Sequence, residues 1–325
     1  MRDYPANLIQ FMDQFRTEED CLQYIAAIRW RNGFNCPKCS HNSYWLDTRD
    51  RYICAKCRHH ASVRAGTVMQ DSKLQARIWL TAMWLFATQK DGISAKSLQD
   101  NLGINSYQSA WLLLHKLRVA MIRSDREPLT GIVEVDEDYI GGLNEDGKRG
   151  RGSENKQIVA IAVQLEKIES DKPIDSLRSY RLAKIRAKCI ENASKEELHR
   201  FIIENIAKGS TLYRDDWSGY SGIDQMGYTS VVTKTSKADN EDDKLPHVHL
   251  AISLLNRWIL GTYQGSIDEY HLQAYLEEFT FRFNRKTSTH RGLLFYRLVQ
   301  GAMSTVPHPY EELIKPGKAT TPLMD

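Results

Sequence analysis

Four cysteines near the N-terminus have the spacing of a metal site. They form two C-x2-C pairs, Cys36 with Cys39 and Cys54 with Cys57, and 14 residues separate the pairs. Each pair bends the backbone so that two thiolates face one point, and the intervening stretch is long enough for a hairpin that returns the second pair. Four thiolates complete a tetrahedral site and leave no position for water. The spacing therefore predicts a structural Zn²⁺ in a zinc ribbon.

Basic and aromatic side chains are concentrated around these cysteines. The aromatic residues are Trp30, Phe34, Tyr44, Trp45 and Tyr52, and the basic residues are Arg29, Arg31, Lys38, Arg49, Arg51, Lys56, Arg58 and Arg64. This mixture suits phosphate contacts combined with stacking on bases. Ribbons also mediate protein contacts, so the pattern favours nucleic acid but leaves a protein partner open.

The distribution of charge favours a polyanionic partner as well. The 325 residues carry a net charge of +3, but residues 1–126 hold 18 Lys and Arg against 11 Asp and Glu, a balance of +7, and the rest hold 26 against 30, a balance of −4. A basic surface that is merely solvated is an equally good interpretation of the charge alone. The longest apolar stretch, 78–87, is too short to span a bilayer, and the cysteine usage suits a reducing compartment.

The elements that must position these residues can be read from periodicity. Helical spacing predicts helices at 7–15, 18–29, 74–88, 95–101 and from Asn105 or Ser106 to about 123. The last two are joined by a turn at Gly103, and the second is basic through Lys116 and Arg118. Such a pair resembles a helix-turn-helix, and a plain helical bundle is the alternative.

A second domain begins where the pattern changes to period two. Residues 131–142 alternate apolar and polar residues, as a half-buried strand does, and end in a glycine turn. Strands at 157–165, 180–187 and 210–214 and a helix at 195–206 follow. Lys148, Arg149 and Arg151 lie in a glycine-rich loop that could track a phosphate backbone. The order predicts an α/β fold, a sheet covered by helices.

Short motifs in this domain resemble the DDE superfamily of bacterial insertion-sequence transposases. They are Asp136 in Val-Glu-Val-Asp-Glu before Gly141-Gly142, Gly150-Arg151-Gly152, and Asp215-Asp216-Trp217-Ser218-Gly219-Tyr220. The segments 261–263, 275–279 and 281–285 match the same group. The resemblance covers nearly the whole chain. It implies an RNase H-like catalytic domain, a mixed sheet with flanking helices, that follows the zinc ribbon in the sequence.

The resemblance also implies a division of the chain. Residues 1–70 would form N-terminal helices and the ribbon, 71–128 a helix-turn-helix-like DNA-binding module, 129–305 the RNase H-like catalytic domain, and 306–325 a tail. The catalytic domain would hold two divalent ions, Mg²⁺ or Mn²⁺, through the first acid Asp136, the second acid Asp215 and a third group on a later helix.

The third position departs from the simplest family pattern. It falls on His249, where many relatives have glutamate, and a neutral imidazole is a softer ligand that would shift preference toward manganese. The basic residue expected two turns further along aligns with Asn256, beside Arg257. Glu277 and Glu278 are the alternatives if the alignment is displaced.

The resulting prediction is a DNA transposase that binds terminal inverted repeats, cuts strands and joins them to a target. Its partner would be double-stranded DNA, at element ends and target, and it would act as a homo-oligomer in the cytoplasm, at the nucleoid and away from membranes. The predicted DNA contacts are Arg58, Lys116, Arg118, Lys148, Arg149, Arg151, Arg257, Arg282 and Arg285. A transposase-derived DNA-binding protein without cleavage and a metal-dependent nuclease are the rival interpretations.

Overall fold

The structure, a computed structural model, divides the chain into two compact units. One comprises Met1–Arg123 with Ser288–Asp325, and the other Ser124–Thr287. The residues described are 3–47, 51–122, 126–140, 157–168, 177–233, 244–265 and 267–314. Over these ranges, no helix has the length and apolar character needed to cross a membrane.

The first unit begins with two short helices, α1 (Leu8–Gln14) and α2 (Glu18–Arg29). The Asn7 side chain accepts the Gln10 N–H at the start of α1. Thr17 caps α2 in a capping box in which its hydroxyl accepts the Asp20 N–H and the Asp20 carboxylate accepts the Thr17 N–H. Both helix starts are therefore fixed by local side chains.

The ribbon is a small antiparallel sheet of three strands, β1 (Tyr44–Leu46), β2 (Tyr52–Cys54) and β3 (His60–Ala61). Its buried core holds two of the cysteines, and consists of Phe34, Cys36, Cys54 and Ala61. The hairpin between the cysteine pairs is the one that their spacing requires.

Three helices follow the ribbon: α3 (Ala76–Thr88), α4 (Ala95–Leu102) and α5 (Tyr107–Met121). Gly103 ends α4 with a φ of 60°, and the Ser94 and Ser106 hydroxyls cap α4 and α5. The helix pair and its glycine turn therefore lie where the sequence predicts them.

The second unit is built on a mixed sheet of five strands. The strands are β4 (Ile132–Ile140), β5 (Gln157–Lys167), β6 (Tyr180–Ile190), β7 (Thr211–Arg214) and β8 (Thr229–Val232), in the order β6-β5-β4-β7-β8. The first three pair antiparallel, whereas β7 is parallel to β4 and β8 to β7. A parallel return needs a crossover, which α6 (Lys195–Asn205) supplies. This is the RNase H-like mixed sheet that the sequence predicts.

Helices cover both faces of this sheet. Along β4, Val133 and Val135 pack with Phe201 and Ile202 of α6. The opposite face lies under α7 (Pro246–Tyr263) and α8 (Leu272–Phe283), whose apolar residues pack against β5 and β6. Because side chains alternate along a strand, Glu134 and Asp136 point to the α7 side.

The last helices, α9 (Arg291–Ser304) and α10 (Tyr310–Ile314), belong to the first unit. Phe295 makes edge contacts with Phe11 and Trp84, with ring centroids 5.4 and 5.6 Å apart. A Cβ on Gly301 would lie 2.2 Å from the Ala120 carbonyl oxygen, so glycine lets α9 approach α5 closely. The second unit thus ends at Thr287, whereas the predicted catalytic domain extends to 305.

Candidate active site and zinc centre

The four cysteines meet at one point in the first unit. Cys36 Sγ lies 3.6 Å from Cys57 Sγ, and Cys39 Sγ lies 3.6 Å from Cys54 Sγ. All four sulfur atoms lie within 4.8 Å of one another, and no other group of three or more Cys, His, Asp or Glu side chains in the described part of the chain does so. A tetrahedral ion with Zn–S bonds of about 2.3 Å separates its ligands by roughly 3.8 Å. The cluster therefore fits structural zinc.

Both knuckles of the ribbon are built in the same way. The residues that follow the two pairs, Ser40 and Arg58, have φ values of 56° and 58°. Their N–H groups donate to the carbonyl oxygens of Cys36 and Cys54, at 2.8 and 3.0 Å. A left-handed residue at this point turns the chain back and leaves both thiolates of a pair on one side.

Two of the predicted catalytic acids lie on, or directly after, neighbouring strands of the sheet in the second unit. Asp136 is in β4, and Asp215 directly follows β7. These strands are parallel, with Glu134 paired to Tyr213. Continuing this register by two residues places Asp136 level with Asp215. Because β4 and β7 are adjacent and parallel, the topology brings together acids that are far apart in sequence.

The carboxylate of Asp215 is held by its own loop and by nearby charge. Its Oδ1 accepts the Trp217 N–H at 3.0 Å. Partial burial raises the pKa of the Asp215 carboxyl, and the charges of Asp136 and Asp216 raise it further. A bound cation would relieve this repulsion, so the electrostatics suit a metal site.

We expect Asp215→Asn to stabilise the metal-free protein. The asparagine oxygen can still accept the Trp217 N–H, while the charge facing Asp136 is removed. A carboxyl whose pKa is raised by folding destabilises the folded state above that pKa, and the penalty disappears below the unfolded value. The gain in unfolding free energy should therefore be present at neutral pH and absent below about pH 4.

The expected gain is at most about 1 kcal/mol, since the Asp215 side chain is only partly buried. Urea unfolding in the presence of a chelator at both pH values measures it. Asp216→Asn is the matched control, because Asp216 is exposed and adjacent. Equal stabilities of the two variants at neutral pH would contradict the prediction.

The residues after Asp215 form a latch that joins both acid-bearing segments. The Trp217 ring N–H donates to the Ala193 carbonyl at 2.8 Å. The buried Tyr220 hydroxyl donates to Glu137 Oε2 at 2.6 Å, next to Asp136. Burial and the Glu137 charge raise the pKa of Tyr220, so the phenol stays a donor at neutral pH. Sequence reasoning identified the motif but not this Tyr220–Glu137 contact.

We expect Gly219→Ala to destabilise the protein by about 1 to 3 kcal/mol through overpacking. A Cβ on Gly219 would lie 2.7 Å from Trp217 Nε1 and 2.8 Å from the Ala193 carbonyl oxygen. Gly261→Ala is the control, because its Cβ would meet no atom within 4 Å and alanine favours the helix. Urea unfolding should give opposite signs for the two variants. An unchanged free energy of unfolding for Gly219→Ala would show that the segment around Gly219 can accommodate a Cβ.

The third predicted residue, His249, lies in the first turn of α7 and faces Asp136. Its Nε2 is 3.2 Å from Asp136 Oδ2, with side chains 47% and 18% exposed. Carboxylate oxygens and an imidazole nitrogen are suitable donors for divalent ions. Asp215 does not complete a group whose ligand atoms all lie within 4.8 Å of one another. Asp136 and His249 are thus in contact, and Asp215 has no ligand atom within 4.8 Å of both of them.

The alternatives to His249 have other partners. Glu278 is buried on α8 and accepts hydrogen bonds from Arg282 at 2.8 Å and from the Tyr263 hydroxyl at 3.1 Å. Glu277 pairs with Arg126. Both carboxylates form ion pairs inside the second unit. His249, by contrast, contacts Asp136.

Comparison with known proteins gives one family match in each unit. Residues 128–284 match the family described as ISXO2-like transposase domain, and residues 16–60 match the transposase zinc-ribbon domain. The chain therefore carries a match to a transposase domain and a match to a transposase zinc ribbon. The first match falls within the second unit and the other within the first, so each carries one family domain.

Similar proteins include an uncharacterized protein in transposable element ISH50 of Halobacterium salinarum. It is 24% identical over 282 residues, which are 82% of this chain and 91% of that protein. Among solved structures, the catalytic core domain of BIV integrase has a TM-score of 0.32 and 14% identity, over 49% of this chain and 86% of that one. A chain of the simian T-cell lymphotropic virus intasome in complex with PP2A regulatory subunit B56 gamma has a TM-score of 0.29 and 9% identity, over 57% and 63%.

Two predicted DNA contacts, Lys116 and Arg118, are buried in the structure, and the side chain of a third, Arg282, is 10% exposed. Arg118 is 1% exposed with its guanidinium over Phe86, and burial lowers the pKa of Lys116, which is 8% exposed. Arg282 pairs with Glu278. Their charges face partners inside each unit, because long basic side chains can cover apolar residues and carbonyls.

The other predicted contacts differ in exposure. Arg58 and Arg257 are exposed. Arg285 is half-buried and lies over the Phe281 ring, 4.1 Å from its centroid. Lys148, Arg149 and Arg151 lie outside the described residues.

Proposed function

We propose that this chain binds the terminal inverted repeats of an insertion sequence and catalyses metal-dependent cleavage and transfer of DNA strands. The observation that carries the proposal is the contact of His249 on α7 with Asp136 on β4, while Asp215 follows the adjacent parallel strand β7 and has its pKa raised by the Asp136 charge. The match to a transposase domain supplies the reaction class.

Asp136, Asp215 and His249 would hold two divalent ions, Mg²⁺ or Mn²⁺. When bound, such ions lower the pKa of an attacking water or 3′ hydroxyl and stabilise the departing oxygen in phosphoryl transfer. The two aspartates supply the negative charge of the site, and His249 supplies a neutral nitrogen that favours Mn²⁺. The Trp217 N–H would orient the Asp215 carboxylate by donating a hydrogen bond to its Oδ1.

Recognition of DNA would rest mainly on the first unit. Tyr44 and Trp45 on the edge strand β1 are 45% and 44% exposed, and Arg58 is exposed near them in the same ribbon. Aromatic faces and guanidinium groups suit bases and phosphates. In the second unit, Arg257 on α7 is exposed two turns beyond His249 and would contact the phosphate backbone. Pairing of two element ends would require a homo-oligomer.

The test is incubation of the zinc-loaded protein with labelled double-stranded element ends and a target duplex, in Mg²⁺ or Mn²⁺. Nicked ends together with joined product support the proposal. Binding without cleavage would instead indicate a transposase-derived DNA-binding protein, for which His249 and Asn256 in place of the usual acidic and basic residues are the motivating observation. Cleavage without joining would indicate a nuclease.

A further inference from the structure

The first turn of α7 is held by a carboxylate from another element. Its N-cap residue is Leu245, which makes no side-chain cap, and Pro246 follows without an N–H. The next two amides, of His247 and Val248, both donate to Glu134 Oε2 on β4, at 2.9 and 2.8 Å. Glu134, which is 113 residues before His247 in the sequence, thus accepts the hydrogen bonds that an N-cap side chain normally accepts.

The other oxygen of Glu134 binds the ring of His247. Glu134 Oε1 lies 2.7 Å from His247 Nδ1, and His247 Nε2 lies 2.9 Å from the carbonyl oxygen of Tyr180. A carbonyl only accepts hydrogen bonds, so Nε2 carries a proton and the ring is held from both sides. The side chains of Glu134 and His247 are 0% and 11% exposed. The turn is therefore tied to β4 and β6 with little competition from water.

This buried contact lies beside the exposed contact of the candidate site. Glu134 and Asp136 are two residues apart on the same face of β4, and each meets a histidine of α7 that is 113 positions later, His247 and His249 respectively. A displacement of α7 by one residue would change both contacts together. The contact between Glu134 and His247 is therefore coupled to the position of His249.

Stability alone is a weak reason for a buried acid–histidine pair. Removing these polar groups from water carries a desolvation penalty, and apolar side chains of similar volume carry no such penalty. A fully paired network does favour one geometry, because each donor and acceptor has a defined partner. We infer that Glu134 and His247 are positioning residues that fix the register of α7 so that His249 faces Asp136. This inference rests on the proposed function, in which Asp136 and His249 hold a divalent ion.

The test compares Glu134→Gln with Glu18→Gln in the full-length, zinc-loaded protein. Glu18 is the matched control, because its carboxylate accepts the N–H groups of Ala76 and Arg77 at the start of α3 in the first unit. In Glu134→Gln the amides of His247 and Val248 should exchange with D₂O at least about tenfold faster. The Mn²⁺ concentration for half-saturation, followed by the electron paramagnetic resonance of free Mn²⁺, should rise about 10- to 100-fold. Glu18→Gln should change neither quantity.

His247→Gln provides a second variant in the same network and should shift both quantities in the same direction, should Glu134→Gln fail to fold. A folded variant of either kind with wild-type Mn²⁺ affinity would overturn the positioning role. Failure of the proposed function has a different signature, since the wild-type protein would then bind Mn²⁺ no better than Asp136→Asn. The amide exchange rates would in that case decide the role of Glu134 in α7 by themselves.

Discussion

Asp136→Asn is expected to abolish strand cleavage and joining while the affinity for element ends stays unchanged. Asparagine keeps the shape of the side chain and can still accept the Glu137 N–H, which Asp136 Oδ1 binds at 2.9 Å. It removes the anionic oxygen that faces His249 and neighbours Asp215. Loss of several kcal/mol of metal-dependent transition-state stabilisation corresponds to a rate decrease of about a thousandfold or more.

Single-turnover cleavage of labelled ends and equilibrium filter binding, carried out at the same salt concentration, measure the two effects separately. Asp216→Asn is the control, because it removes an exposed carboxylate next to Asp215 and should leave cleavage close to that of the wild type. Cleavage by Asp136→Asn at the wild-type rate would show that the acid has been assigned wrongly.

Loss of zinc is expected to unfold the ribbon and to weaken DNA binding. Among the described residues, the buried hydrophobic cluster of the ribbon comprises four residues, two of which are the ligands Cys36 and Cys54. A core of this size cannot offset the conformational entropy of folding, so the metal must supply about 10 kcal/mol or more. Cys54→Ser should therefore lose its zinc, become sensitive to protease between α2 and α3, and bind element ends at least about tenfold more weakly.

Zinc content by mass spectrometry, limited proteolysis and filter binding check this expectation. Cys189→Ser is the control, because Cys189 lies on β6 in the second unit and outside the four-cysteine cluster. It should retain one zinc per chain and wild-type DNA affinity. A Cys54→Ser protein with full zinc content and a protected ribbon would contradict the structural role of the metal.

Several elements could be predicted because their determinants are local. The strand predicted at 157–165 is observed as Gln157–Lys167, and the helix predicted at 195–206 as Lys195–Asn205. Thr17, Ser94 and Gly103 mark helix ends through bonds or dihedral angles within a few residues. Strand β8 (Thr229–Val232) was missed because it is short and half-exposed, and little alternation distinguishes it from a loop.

The burial of charged residues could not be predicted from the same information. Lys116 and Arg118 look like exposed charges on an amphipathic helix, yet α3 and the loop before it surround them. Glu134 looks like one more acid of an alternating strand, yet it is fully buried against α7. In each case the partner lies tens of residues away, beyond the reach of a periodicity argument.

The sequence by itself determined the four-cysteine cluster, and its motifs predicted the two aspartates of the candidate site. The cysteine spacing encodes a knuckle geometry within a few residues, and the aspartates are embedded in motifs whose order identifies the family. Only the tertiary structure decided that Asp136 meets His249, that Glu134 holds the helix carrying that histidine, and that α9 belongs to the first unit. The physical reason is that these contacts depend on strand register and helix packing, which are set by the whole core and not by neighbouring residues.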